Sequence, residues 1–173
     1  MPSFALAAIG RDRPGIVAAV AKVLYAQGCN VEDSQMTLLR GNFSIMLVLE
    51  SPEGTTAASL SEALRPACEP LGLTYSVLDV EDTAVTPHAS HVLTVYGADK
   101  PGILYQVAQA LADDNVNITD VNSRLVGSDE PVYALMLELT VPGDVAKTEA
   151  RLTEIAATLG VDLTLRPRED DIL

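Results

Sequence analysis

The chain has 173 residues, of which 48% are hydrophobic, 20% charged and 4% aromatic, with no Trp. That apolar share supports a core built from Val, Leu, Ile and Ala and argues against a disordered chain, and the length suits one ordinary domain or two small ones. Eleven basic residues stand against 24 acidic ones, for a formal net charge of −13, so direct binding to nucleic acid or to an anionic membrane is disfavoured.

The amino terminus, Met1-Pro2-Ser3-Phe4, lacks a basic leader region, and no apolar run reaches the length of a membrane span. Cys29 and Cys68 form no C-x-x-C pair and are too few for a disulfide framework. The expectation is a cytoplasmic protein with idle cysteines.

In chain order, Phe4 to Ile9 reads as a short apolar strand. A helix is predicted from Pro14, because a fixed φ and a missing N–H suit the first helical position. Its buried stripe is Ile16, Val20, Val23 and Leu24, and Gly28 suits the left-handed turn that ends it. Two strands follow as a hairpin, Asn30 to Leu39 and Phe43 to Glu50, joined around Arg40-Gly41-Asn42. Phe43, Ile45, Leu47 and Leu49 alternate with more polar neighbours, the pattern of a strand with one buried face. A second helix is predicted from about Thr56 to Leu71, shortened or made irregular by Pro66 and Pro70. Leu73 to Val80 closes the unit as a strand.

The same series then recurs. Asp12-Arg13-Pro14-Gly15-Ile16 returns 87 residues later as Asp99-Lys100-Pro101-Gly102-Ile103. At that offset ten identities fall between positions 10 and 33, among them Gly10 with Gly97, Asn30 with Asn117 and Asp33 with Asp120; composition alone would give about one or two. The second copy predicts strands at Val92 to Tyr96 and Val161 to Leu165. Its first helix has the stripe Ile103, Val107, Ala110 and Leu111, ended near Asn115. Its hairpin has a longer loop, Gly127 to Pro131, and its second helix runs from Ala146 to Leu159 with Gly160 at its end. The order β-α-β-β-α-β, twice, makes the fold α+β: two ferredoxin-like domains in tandem, each a four-stranded antiparallel sheet with two helices on one face. Domain one spans 1–82, a linker 83–90, domain two 91–168 and an acidic tail 169–173, including Glu169-Asp170-Asp171. The bare face of each sheet needs a cover, from the companion copy or a second chain.

The chemistry-bearing candidates cluster at the turn before the first helix of each copy. The head of a helix carries unpaired N–H groups and a partial positive charge, which can receive a carboxylate. Gly15 and Gly102 let a ligand approach the backbone, and Asp12 and Asp99 can accept hydrogen bonds from an ammonium. Together these complement a zwitterionic amino acid. The plainer reading stays open: an ordinary helix start with an aspartate near the dipole. Asn30 and Asn117 offer a donor and an acceptor in one plane, for a ligand or for local backbone. His88 and His91 form H-x-x-H beside the linker without further zinc ligands in sequence, so no metal is expected. No nucleophile elbow or phosphate-binding loop is present, and no acid–base–nucleophile set can be assembled, so neither an enzyme nor a cofactor is expected.

The runs D-R-P-G-I-V with G-C-N-V, and D-K-P-G-I-L with N-V-N-I, resemble the ACT domain family over nearly the whole chain. Two such modules and little else look like the glycine cleavage system transcriptional repressor family, whose members are regulatory and are thought to act on a separate DNA-binding activator in response to glycine. The first motif also looks like the ACT segment of formyltetrahydrofolate deformylases and some phosphoserine phosphatases; their catalytic domains have no counterpart expected here. The resemblance implies a ligand at an interface between modules, touching Asp12, Gly15 and Asn30, or Asp99, Gly102 and Asn117. Some relatives place a His where Gly10 and Gly97 stand. The implied function is a non-catalytic, homodimeric regulator that senses glycine or serine and acts through a protein partner; the alternative is a ligand-free dimerisation or interaction module.

Overall fold

The computed structural model describes residues 1–80, 88–127 and 131–168. Most of the expected linker, the tip of the second hairpin loop and the acidic tail lie outside the described residues. The chain divides into two compact units, Met1–Val85 and Thr86–Leu173.

The first unit runs β1 (Ser3–Arg11), α1 (Ile16–Ala26), β2 (Asn30–Leu39), β3 (Asn42–Glu50), α2 (Ala57–Cys68), a 3-10 turn (Glu69–Leu71) and β4 (Thr74–Val80). The second runs β5 (His91–Ala98), α3 (Ile103–Asp113), β6 (Asn117–Val126), β7 (Val132–Thr140), α4 (Val145–Leu159) and β8 (Asp162–Pro167). The sheets have strand orders β2-β3-β1-β4 and β6-β7-β5-β8, with every pairing antiparallel. Each unit is the βαββαβ fold that the sequence pattern predicts.

Alternation builds the core. Phe4, Leu6 and Ala8 of β1 and Phe43, Ile45, Leu47 and Leu49 of β3 are buried. They lie on one face because side chains alternate along a strand, and α1 and α2 close over that face with Ile16, Val20, Leu24, Leu64 and Cys68. Burial pushes the Cys68 thiol pKa up, so it stays protonated and unreactive. The second core repeats the scheme with Leu93, Val95, Leu135, Leu137 and Leu139 under Ile103, Val107, Leu111 and Leu152.

One expectation about proline needs correction and another holds. Pro14 and Pro101 do not open their helices; Gly15 and Gly102 follow them in a left-handed conformation, φ 94° and 96°, and the helices start one residue later. Positive φ is outside the helical range, so the helix cannot include that residue. The second helix is shortened as expected: α2 passes through Pro66 and ends at Cys68, and Pro70 sits in the 3-10 turn that follows.

The first hairpin turns through Arg40 and Gly41, both with positive φ (49° and 78°), the geometry of a tight two-residue connection between twisted strands. The edge strands β2 and β6 each carry a bulge at the same place, where Glu32 and Thr119 fall out of register with β3 and β7. All ten residues of β2 are exposed.

Among the described residues, the second unit holds a charged cluster with no counterpart in the first. Asp114, at the end of α3, has a side chain only 4% exposed, yet Lys147 Nζ and Arg151 Nη2 of α4 approach its Oδ1 to 3.3 and 3.2 Å. These are ion pairs without hydrogen-bond alignment. A buried carboxylate at the negative end of a helix needs both cations. Arg151→Ala is expected to destabilise the second unit by about 2 kcal/mol, and adding Asp114→Asn should recover part of that. Urea unfolding followed through amide exchange in β5 and β7 measures both; an unchanged midpoint in Arg151→Ala would refute the assignment.

Candidate functional site

The β1–α1 turn is built the same way in both copies. β1 ends at Arg11, and the Asp12 N–H donates to the Gly41 carbonyl at 3.0 Å, which ties the turn to the hairpin tip. The chain then passes Pro14 and reverses through Gly15 into α1. An L-residue at φ near 94° would be strained. At Gly15 no atom lies within 4 Å of where a Cβ would stand, so conformation rather than crowding requires glycine there.

The four helix starts fall into two kinds. α2 is capped by its own sequence: Ser59 N–H donates to Thr56 Oγ1 at 3.1 Å, and Thr56 N–H donates to Ser59 Oγ at 3.0 Å. α4 is capped by Asp144, whose Oδ1 accepts from Ala146 N–H at 3.0 Å. α1 and α3 have no side-chain cap. The two helix heads next to the repeated motif are therefore the two whose amides receive no side-chain cap, and backbone donors at a helix head suit an anion. Asp12 and Asp99 are exposed beside them, and among the described residues their carboxylates have no hydrogen-bond or ion-pair partner. Beside the first turn lies an open cleft of about 540 Å³ whose walls include Asp12, Gly15, Val17, Ala21, Met36 and Phe43.

The asparagines stand elsewhere. Arg11 pairs with Asn42 at one end of β3, whereas Asn30 pairs with Glu50 at the other. Eight residues of strand separate them, about 27 Å at roughly 3.4 Å per residue. Asn117 and the Asp99 turn are separated in the same way, across β7. The structure thus brings aspartate and glycine together in each unit, while no single unit adds its own asparagine to them. Neither asparagine side chain bonds local backbone among the described residues.

Gly10 and Gly97 are glycines for a packing reason. A Cβ on Gly10 would lie 2.7 Å from Leu73 Cδ2 and 3.1 Å from the Gly72 carbonyl oxygen; on Gly97 it would lie 2.6 Å from Val161 Cγ1. Each glycine also pairs across the sheet with an aromatic residue, Phe43 or Tyr133. Neighbouring side chains fill the place where some relatives carry a His.

Arg13 and Lys100, the variable position of the motif, were not picked out by sequence reasoning. Arg13 Nη2 donates to the Pro70 carbonyl at 3.2 Å, and Lys100 Nζ donates to the Leu159 carbonyl at 3.3 Å. Each cation reaches the carboxyl end of the unit's second helix, where unpaired carbonyls and the dipole favour positive charge. The signal was present: a basic residue at the same offset in both copies.

His91 belongs to β5, with Ser90 Oγ 2.9 Å from its Nδ1, and the His88 carbonyl accepts from Thr140 Oγ1. Among the described residues no three His, Cys, Asp or Glu side chains gather as a metal site, and no helix is long and apolar enough to cross a membrane.

This architecture is a tandem of two βαββαβ units, each with one helix head that lacks a side-chain cap. Family models described as "ACT domain" match residues 4–78 and 91–157, and the chain belongs to the ACT domain family. It is similar to the Escherichia coli (strain K12) glycine cleavage system transcriptional repressor, 26% identical over 164 residues covering 91% of this chain and 84% of that one. It is also 27% identical to the phosphoserine phosphatase SerB2 of Mycobacterium tuberculosis over 90% of this chain, but spans only 38% of the phosphatase's length. A Galdieria sulphuraria protein of unknown function shares the fold, with TM-score 0.84 and 23% identity over 97% of this chain and 99% of that one.

Gly97→Ala is expected to destabilise by about 2 kcal/mol, because the branched Val161 side chain and its backbone cannot yield. Gly10→Ala should cost less, since a Leu73 methyl can turn away. Thermal unfolding tests the order, and Val161→Ala, which removes the Cγ1 contact but leaves the Cβ and Cα approaches at 3.1 and 3.2 Å, should recover part of the Gly97→Ala loss; a double variant no more stable than the sum of the two single losses predicts would refute the Cγ1 clash as a cause.

Proposed function

We propose that this protein is a non-catalytic, cytoplasmic regulator that senses a small amino acid, glycine or serine, at its β1–α1 turns. It acts as a homodimer through a protein partner, a DNA-binding activator in the control of glycine cleavage. The observation that carries the reading is the pairing, in both copies, of an uncapped helix head with an aspartate that has no partner among the described residues. The first group suits a carboxylate and the second an ammonium. The net charge of −13 supports reaching DNA through another protein, and the similarity to the Escherichia coli repressor supports the regulatory role. Sensing requires that the ligand favour one assembly state over another. The asparagine of each recognition set lies at the far end of the sheet from its own turn, so within one module the aspartate and the helix head act without it.

A second reading, a ligand-free interaction module, is favoured by the packed glycines at 10 and 97, which deny each turn a polar side chain. Calorimetric titration with glycine, serine and the other amino acids separates the two. Sensing predicts heat of binding and, at about 100 times Kd, a stabilisation of about 2.7 kcal/mol. Asp12→Ala with Asp99→Ala should abolish the response and leave the fold intact. No heat and no thermal shift with any amino acid at millimolar concentration would eliminate sensing and leave the interaction module.

A further inference from the structure

The two turns share a backbone, but their surroundings differ. Around the first turn the cleft has apolar walls from three elements: Val17, Ala18 and Ala21 of α1, Met36 of β2 and Phe43 of β3. Met36 is 54% exposed and Ala18 is exposed, so both present carbon to the opening. In the second unit Tyr105 stands at the position of Ala18 and Gln106 at that of Ala19. Ser123 pairs with Leu135 where Met36 pairs with Ile45, and Tyr133 pairs with Leu125 where Phe43 pairs with Leu38. Four of the positions around the turn thus change from apolar to polar or hydroxyl-bearing. Gln106 also reaches back over its turn: its Nε2 lies 3.8 Å from where a Cβ on Gly102 would stand, while the same position at Gly15 is open.

We propose that the two modules select different amino acids. The first takes one with an aliphatic side chain, laid against Met36 and Phe43. The second takes glycine or serine, whose carboxylate accepts from the Gln106 carboxamide. This rests on the reading that the turns bind amino acids, keeps glycine or serine for the second turn and replaces it at the first by an amino acid with a larger aliphatic side chain. Apolar walls favour added methylenes, each by a modest factor, whereas polar groups left unpaired against an aliphatic side chain disfavour it.

Amide NMR of the full chain, with the Gly15 and Gly102 signals as reporters, tests this by titration with glycine, L-serine and L-leucine. Leucine is expected to move Gly15 with a Kd about tenfold lower than that for Gly102, and glycine and serine should show the reverse order. The exposed-site double variant Ala18→Tyr, Met36→Ser should erase the leucine preference at Gly15 while its amide spectrum stays folded, and Gln106→Ala should weaken glycine at Gly102. Equal leucine affinities at the two turns, or a double variant with unchanged leucine affinity, overturn the assignment and leave amino-acid binding standing. Silence of both glycines with all three ligands removes the assignment and the sensing role together.

Discussion

The structure depends on one backbone constraint, the residue in left-handed conformation between proline and helix at Gly15 and Gly102. It lets a sheet strand become a helix within a few residues. The N-cap residue itself is glycine and has no side chain to offer the new helix, so the first amides have no side-chain cap. The aspartate just upstream is held at the entrance by a backbone bond to the hairpin tip in the first unit. The basic residue between aspartate and proline fastens the turn to the far end of the second helix. A bare helix head, an anion at the door and a cation turned away are three outcomes of one turn.

Duplication preserved that turn while its surroundings changed. The glycines, aspartates, bulges and basic clasps recur at matching positions, because each answers a demand of the backbone or of helix ends. Residues that meet only the opening differ: alanine against tyrosine, methionine against serine. The core tolerates little change because buried volumes must fit, whereas a cleft wall answers only to what enters it. The second unit also acquired a buried carboxylate with two cations, where the first unit has Gln27 at the matching position.

Much of the fold was legible from periodicity. Strand β2 runs over the residues the pattern marked, and the stripe Ile103, Val107, Ala110 and Leu111 is buried as a set. Local signals did less well where two rules competed. Proline is favoured at the first helical position, but the glycine after it took a conformation no helix admits. The prolines of the second helix were read correctly: α2 stops at Cys68 and Pro70 lies in the 3-10 turn beyond it. At the candidate site, the aspartate and glycine of each turn were visible as neighbours in sequence. The distance from Asp12 to Asn30 was not, since it follows from strand direction and register. The reach of Arg13 to Pro70 and the crowding at Gly10 by Leu73 depend on contacts more than fifty residues apart in sequence, which no motif encodes.

The bulges have a consequence for solution behaviour. Strands β2 and β6 are long, lie at sheet edges and offer unpaired amides, the surface on which amyloid-like stacking nucleates. The extra residue at Glu32 and Thr119 breaks each ladder near its start and bends the strand. A second chain adding edge-on cannot keep a continuous register past that point. Open-ended fibril growth is thereby obstructed, while a single closed pairing over the remaining residues is still permitted.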